Sequence, residues 1–406
     1  MTTSTIPAPP DFRSPVFLRQ HIGWIMDFYK DRAIDPSGGL YHFFLDDGTV
    51  YDKRTRHLVS ATRFVITHAM LYALTGEKRF QDGVRHATDF LRTAFRDPAT
   101  GGYAWLIDWH EGKAKVLDDT RHCYGMAFVM LAYAHALRSG VAEARGWLAE
   151  TFDLAEKHFW EAGASLYADE ATADWKLSSY RGQNANMHSC EAMLTAFAAT
   201  GERRYIERAE TLAQSITVRQ AGLSNDLIWE HYHQDWTIDW EYNLHDKSNI
   251  FRPWGYQPGH HTEWAKLILQ LDTHLPADWH LPRAEALFKA GVTPAWDAVN
   301  GGLHYGFGPD GSICDGDKYH WVQAESMAAA ALLAIRTGKA EYWAWYEKIW
   351  GYCWQHFVDH EQGAWFRILD PANLNHTRDK SPAGKVDYHD IGACFDVLRA
   401  MGELKQ

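Results

Sequence analysis

Cysteine is sparse in this 406-residue chain. The five present, Cys123, Cys190, Cys314, Cys353 and Cys394, are scattered, odd in number and without a CxxC pair. This excludes a disulfide framework and a structural zinc site, and predicts reduced thiols in a cytoplasmic protein. The first ten residues hold neither the basic nor the apolar region of a secretory signal. The longest apolar stretches, around Met126–Ala134 and Met327–Ile335, fall far short of the roughly 20 residues that span a bilayer, so no membrane partner is expected. Positive charge is also short: 40 Lys and Arg against 52 Asp and Glu leave a net charge of −12, with no basic cluster to begin contact with a nucleic acid. No Pro/Ser-rich linker divides the chain. A flexible segment over residues 1–14 followed by one domain over 15–406 is predicted.

What is abundant is hydrophobic residues (46%), which suffice for a large core, together with 19 Trp and 23 His. Tryptophan beyond the needs of a core often stacks on the apolar face of a sugar ring. Histidine titrates near neutrality and points weakly to proton transfer or metal binding.

A small-residue turn followed by an aromatic recurs about every 60 residues: Gly38-Gly-Leu-Tyr41, Gly101-Gly-Tyr103, Ala164-Ser-Leu-Tyr167, Gly301-Gly-Leu-His-Tyr305 and Gly363-Ala-Trp365, with Gly222-Leu-Ser at the fourth place. Inside most units two helical patterns meet at a second mark, Thr75-Gly, Ser139-Gly, Thr200-Gly or Thr337-Gly, where a helix C-cap needs a left-handed residue. His188–Ala199 with Arg203–Ile216, and Gln323–Arg336 with Glu341–Phe357, are examples. Six such helical hairpins, with terminal units as apolar and aromatic as the middle ones, predict closure into an all-α (α/α)6 barrel rather than an open solenoid. Small apolar helices such as Ala328–Ala334 belong inside, and charged ones such as Glu202–Arg208 outside. The interval from Gly222 to Gly301 is longer, and Trp229–Trp264 within it holds five tryptophans, read as a wall or lid at the barrel mouth.

Polar residues stand where inner helices begin: Arg63, Tyr124, Asn184 and His188, His260 and Glu263, Trp321 with Glu325, and His389. Closure of the ring would gather them around one pocket. Any one of these histidines alone would more often be a cap or a satisfied polar group, and Arg63 alone an ion-pair partner. His188…Glu191 and His260…Glu263 share a spacing that puts both side chains on one helix face. A metal site is the weaker reading of that spacing. In the stronger one each Glu bonds its own His or a sugar hydroxyl. His261 points away from His260 and is read as structural.

Facing histidines in an aromatic, metal-free pocket suit proton transfer beside a carbonyl. In an open-chain aldose, loss of the C2 proton gives a cis-enediolate. Reprotonation at C1 yields a 2-ketose, and reprotonation at C2 from the other face yields the 2-epimer. No cofactor is required. An inverting glycoside hydrolase recruiting Glu191, Glu263 and Glu325 is the rival from another class. A non-catalytic sugar-binding protein would explain the tryptophans but not the clustered histidines.

Taken together, Thr-Arg63-Phe, Asn184-Ala-Asn-Met-His188, Pro258-Gly-His-His-Thr-Glu-Trp264, Trp321-Val-Gln-Ala-Glu325 and Lys385-Val-Asp-Tyr-His389 resemble the N-acylglucosamine 2-epimerase superfamily over nearly the whole chain. Tyr51-Asp…Thr55-Arg-His-Leu-Val-Ser-Ala-Thr-Arg63 and Lys385–Cys394 are most similar to members that interconvert D-mannose and D-fructose. The resemblance implies an (α/α)6 barrel with His260 and His389 as the acid/base pair, and with Arg63, Asn184, His188, Glu263 and Trp321 on the sugar. It also implies no metal and no nucleotide. His389 is assigned the proton between C2 and C1, His260 the partner acid/base role, and His188 assistance in ring opening. Tyr124 and Glu325 complete the expected binding set. The expected partner is a monosaccharide, with a homo-oligomer left open. Mannose 2-epimerases share these motifs, and sulfoquinovose isomerases would want a further cation, for which the long loop offers Arg252.

Overall fold

The computed structural model describes residues 6–249 and 251–404. Among the described residues twelve α-helices carry the fold: α1 (Pro15–Tyr29), α2 (Leu58–Thr75), α3 (Lys78–Phe90), α4 (Cys123–Arg138), α5 (Ala144–His158), α6 (Asn184–Thr200), α7 (Arg203–Gln214), α8 (Pro258–His274), α9 (His280–Ala295), α10 (His320–Thr337), α11 (Ala340–His356) and α12 (Tyr388–Ala400). The even-numbered helices form an inner ring in which α2, α4, α6, α8, α10 and α12 pack in sequence and α12 closes onto α2. Their small, apolar faces permit this crowding: Ala328, Ala329, Ala330 and Ala331 of α10 are completely buried. The outer helices bury one face only, as α7 does with Tyr205, Ile206, Ala209, Leu212 and Ala213. This is an (α/α)6 barrel.

The punctuation lies where it was expected. Gly76, Gly201 and Gly338 end inner helices with φ of 68°, 73° and 71°, each N–H bonding the carbonyl four residues back. The turn after an outer helix is closed by an isolated bridge such as Trp296↔Leu303. There Gly302 has φ 80° and an added Cβ would meet the Tyr352 ring at 2.5 Å. In the fourth unit Asn225 and Asp226 take the positive φ instead.

Two features differ from the sequence expectation. Five hairpins are consecutive, but the sixth is assembled from both ends of the described chain, with outer α1 packed on inner α12. And although residues 1–14 were expected to be flexible, residues 7–14 are strapped to α11; residues 1–5 lie outside the described ones. Phe12 stacks on Trp350 with centroids 5.2 Å apart, Tyr346 Oη donates to the Phe12 carbonyl at 2.7 Å, and Trp354 Nε1 donates to that of Pro7 at 2.9 Å. A proline-rich, polar stretch looks unstructured, yet its single aromatic finds an apolar slot.

Short antiparallel strands, which no sequence pattern announced, rim one mouth of the barrel. Thr55–His57, Arg121–His122, Arg181–Gly182 and Lys318–Tyr319 each lead directly into or next to the first turn of an inner helix. The pair Arg181–Gly182 with His231–Tyr232 sets Glu230 beside Gln183 at the start of α6.

Candidate active site

The first turns of the inner helices surround a cavity of about 500 Å³, within the roughly 300–1,000 Å³ usual for small-molecule sites. Arg63 of α2, Tyr124 of α4, Asn184 and His188 of α6, His260 and Glu263 of α8, Trp321 of α10 and His389 of α12 all line it. Convergence predicted from repeat position is therefore the observed geometry.

Trp321 lies between two of the histidines, its ring 5.0 Å from that of His260 and 5.8 Å from that of His389. Each of the two imidazoles is held by a buried carboxylate at Nδ1, His260 by Glu230 at 2.9 Å and His389 by Glu325 at 2.7 Å. Gln183 steadies Glu230 by donating to it at 2.9 Å, and Trp264 Nε1, donating to Gln183 Oε1 at 2.7 Å, fixes the orientation of that amide. A carboxylate at Nδ1 takes the ring proton there and leaves Nε2 for the cavity. For His389 this Nε2 lies 3.2 Å from Arg63 Nη2, a donor, so it stands as a lone pair. Burial lowers the His389 pKa to about 3, with Arg63 pushing the same way against Glu325. It is a neutral base at physiological pH.

Arg63 is fixed in place by its surroundings. Its guanidinium lies between the rings of Phe128 (4.6 Å) and Tyr388 (4.7 Å), and it donates to the Gly384 carbonyl and, at 3.3 Å, to Tyr124 Oη. His188 bonds Glu191 through Nδ1 at 2.9 Å, as the His-x-x-Glu spacing predicted. Burial works against the Glu191 carboxylate, but its hydrogen bond from His188 outweighs it and holds the pKa below the usual carboxylate range. Glu263 behaves oppositely. Burial and then the Glu325 charge push its pKa well above the carboxylate range, and both its oxygens lack a hydrogen-bond partner among the described residues. Asn184 Oδ1 is likewise buried and unpartnered among them. Buried polar atoms without partners on residues that line a cavity are what a polyhydroxyl ligand would satisfy.

His188, Glu191 and Glu263, and separately Glu263, Glu325 and His389, bring one donor atom each within 4.8 Å. Neither set fits a divalent ion well. The ring nitrogens nearest the carboxylates are their hydrogen-bond donors, and the Lys266 ammonium already lies 2.6 Å from Glu325 Oε2.

The N-acylglucosamine 2-epimerase (GlcNAc 2-epimerase) family model matches residues 39–393. The chain belongs to this family. A D-mannose isomerase of Marinomonas mediterranea is 51% identical over 394 residues, covering 97% of this chain and 99% of that protein. A D-mannose isomerase of Thermobifida fusca is 36% identical over 75% of this chain and 76% of its own length. A crystal structure of D-mannose isomerase matches with a TM-score of 0.94 at 51% identity, over 97% of this chain and 100% of that one. The protein is accordingly an enzyme of the isomerase class.

Three site expectations need correction in this member of the N-acylglucosamine 2-epimerase family. Glu325 does not line the sugar cavity; with its side chain held by His389 and Lys266 it is a support beneath the pocket. Of the two partners expected for Glu263, its own His or a sugar hydroxyl, the first is not found: His260 is held by Glu230 from the preceding loop, and both oxygens of Glu263, which lines the cavity, are unpartnered among the described residues. And none of the five tryptophans between 229 and 264 forms the wall. Trp229, Trp240 and Trp254 cluster on one another, Trp236 Nε1 donates to Glu161, and Trp264 reaches Gln183, so they are the long loop's own core and anchors. The loop gives the cavity Phe251, Arg252 and Pro253 instead, and Trp105 supplies an indole from elsewhere. Arg252 pairs with Glu170 and stacks on Tyr180 at 3.9 Å, so it narrows the mouth rather than offering a free cation. His261 is structural as expected, with Nδ1 on the Gln257 carbonyl and Nε2 accepting from Ile228 N–H. Sequence reasoning missed Glu230 and the His320–Asp390 pair (2.9 Å). His320 opens α10 at the same repeat place as the other candidates and could have been found by that signal.

Proposed function

We propose that this enzyme interconverts D-mannose and D-fructose by histidine-mediated proton transfer through a cis-enediolate. The observation that carries the reading is the pair His260 and His389, set on either side of Trp321 with Nδ1 on a carboxylate and one cavity before both. The D-mannose isomerases at 51% and 36% identity support the substrate.

In the open-chain aldose His389 Nε2 takes the C2 proton. The C–H electron pair forms the C1–C2 double bond, and the developing charge on O1 is met by Arg63 and Asn184. The proton then returns from His389 to C1, while the His260 imidazole takes the proton of O2 and passes it to O1, so that C2=O forms, O1 becomes a hydroxyl, both rings are neutral again and the 2-ketose results. Ring opening needs an acid at the ring oxygen. Because His188 has its Nδ1 proton committed to Glu191, the neutral carboxyl of Glu263 suits that step better, and His188 holds the sugar. A hydrolase reading loses support, since Glu191 and Glu325 are engaged by His188, Tyr388, His389 and Lys266.

The test is incubation of chelator-treated enzyme with D-mannose in D2O, followed by NMR of the sugars. Fructose as main product is the expected result. Glucose without fructose would make the enzyme a 2-epimerase, and release of sugar from an oligosaccharide with no monosaccharide turnover would make it a hydrolase. His260→Ala and His389→Ala should each lower kcat by about 10²-fold or more with an unchanged circular dichroism spectrum. Near-normal turnover in either would remove that histidine from the mechanism.

A further inference from the structure

Beneath the pocket floor lies a buried cation that the isomerisation as drawn does not use. Lys266 is on α8, one turn beyond Glu263, with a side chain 4% exposed. Its ammonium is 2.6 Å from Glu325 Oε2 of α10 and 3.4 Å from Asp396 Oδ2 of α12, and it also feels Glu191 of α6 and Glu263 of its own helix. A separate cavity of about 30 Å³ adjoins these groups on the far side of the floor and is bounded there by Gln270 and Arg399.

Four carboxyls thus converge on one ammonium inside a barrel. Carboxylates this close and this buried cannot all be ionised, and the placement of the cation decides which keep their charge. Lys266 touches Glu325, whose other oxygen holds His389 Nδ1, so a chain of contacts runs from the barrel axis to the nitrogen that faces the sugar. Glu263, without a hydrogen-bond partner among the described residues, is the carboxyl left for the proton.

We propose that Lys266 is a positioning residue for the catalytic base: its charge keeps Glu325 ionised and fixed on His389 Nδ1, and leaves the proton of the carboxyl cluster on Glu263. The inference rests on the reading of His389 as the base. The other titratable or charged groups facing His389 are Arg63 of α2, His188 of α6, His320 of α10 and Tyr388 beside it on α12; no ion pair or hydrogen bond joins any of them to Lys266 among the described residues.

Removing one positive charge raises the proton affinity of every remaining group. Lys266→Met should therefore move the acid limb of the kcat profile up by about one pH unit or more, read from initial rates in brief pH jumps out of a neutral stock so that turnover is recorded before acid unfolding sets in. Lys266→Arg keeps the charge and should keep the limb, even with a reduced kcat. Asp396→Asn, outside the sugar cavity, removes a negative charge and should move the limb down. A lysine that merely fills the axis predicts the reverse pattern, with Arg as harmful as Met and no movement of the limb. Equal limbs in Met and wild-type enzymes, or equal shifts in Met and Arg, would overturn the proposal. Should the Met variant fail to fold, an Asp396→Asn limb at or above the wild-type position overturns it by itself. ¹⁵N NMR of the His389 ring without substrate should show the same ordering of protonation among the variants. Because that needs no turnover, an enzyme inactive on every aldose would sink the functional reading while the effect of Lys266 was still measured.

Discussion

Each imidazole assigned to proton transfer is aimed by a carboxylate far away in the chain, 30 residues from His260 for Glu230 and 64 from His389 for Glu325. Glu230 is held ionised by His260 and Gln183 although burial opposes it. Glu230→Gln keeps the shape but loses the charge, so the His260 ring is no longer committed to one tautomer. The expected result is a 10–100-fold fall in kcat with thermal stability nearly unchanged, read by steady-state kinetics and a melting curve. A loss confined to KM would mean that Glu230 serves the sugar instead. The residues that face the cavity were legible because repeat position puts them within the first two turns of the inner helices. Their partners were not, since only an i,i+3 pair such as His188–Glu191 shows as a spacing. A pair joined across two helices leaves no local periodicity, which is why Glu230 passed unnoticed inside a tryptophan-rich loop and Glu325 was taken for a sugar contact.

At the scale of elements, α12 is entered through a backbone that L-residues avoid: Val386 has φ 44° and Asp387 φ 43°, and for a β-branched residue this is a true outlier. The turn is clamped by side chains. Asp387 Oδ1 accepts from Lys385 Nζ at 2.5 Å, its other oxygen accepts from Tyr29 Oη of α1, and Ser381 Oγ accepts from Val386 N–H at 3.1 Å. His389 follows two residues later, so strain stored here sets the direction of the base. Asp387→Ala frees the turn and takes from the buried Lys385 ammonium its nearest carboxylate, leaving only Asp390 at 4.0 Å among the described residues. The expected cost is about 3 kcal/mol or more of stability, seen as a lower urea midpoint, together with a drop in kcat. Loss of activity at full stability would show that the clamp carries no folding role. The hairpins themselves were readable from glycine punctuation and helical period. The α1–α12 pairing and the two-residue strands were not, because the first depends on contact between chain ends and the second are too short for alternation to register.

For the whole molecule, the histidine surplus has a second use besides chemistry. His21, His42, His57 and His261 are buried, and in each a ring nitrogen accepts a hydrogen bond: from Trp365 Nε1–H, His57 N–H, Val59 N–H and Ile228 N–H respectively. A proton on that nitrogen would set donor against donor, so these rings are locked neutral. Burial, the largest cause, lowers His21 and His57 to about 3 and His261 to about 4, and His42 well below its ordinary value. In the unfolded chain the same rings take up protons from about pH 6.5 downward. Between that value and the folded pKa the unfolded state holds more protons, so the stabilisation is fully present above pH 6.5 and is lost as the pH falls toward 4. Each histidine removes about 1.4 kcal/mol per pH unit over that window. Against a total stability of about 5–15 kcal/mol, a few acting together are enough to unfold the domain in mild acid. Urea midpoints measured from pH 7.5 to 5 should be level above pH 6.5 and fall steeply below it, with unfolding at pH 5 taking up about three or more protons. A flat profile down to pH 5 would mean that these rings titrate in the folded barrel, and that their hydrogen bonds as acceptors do not hold.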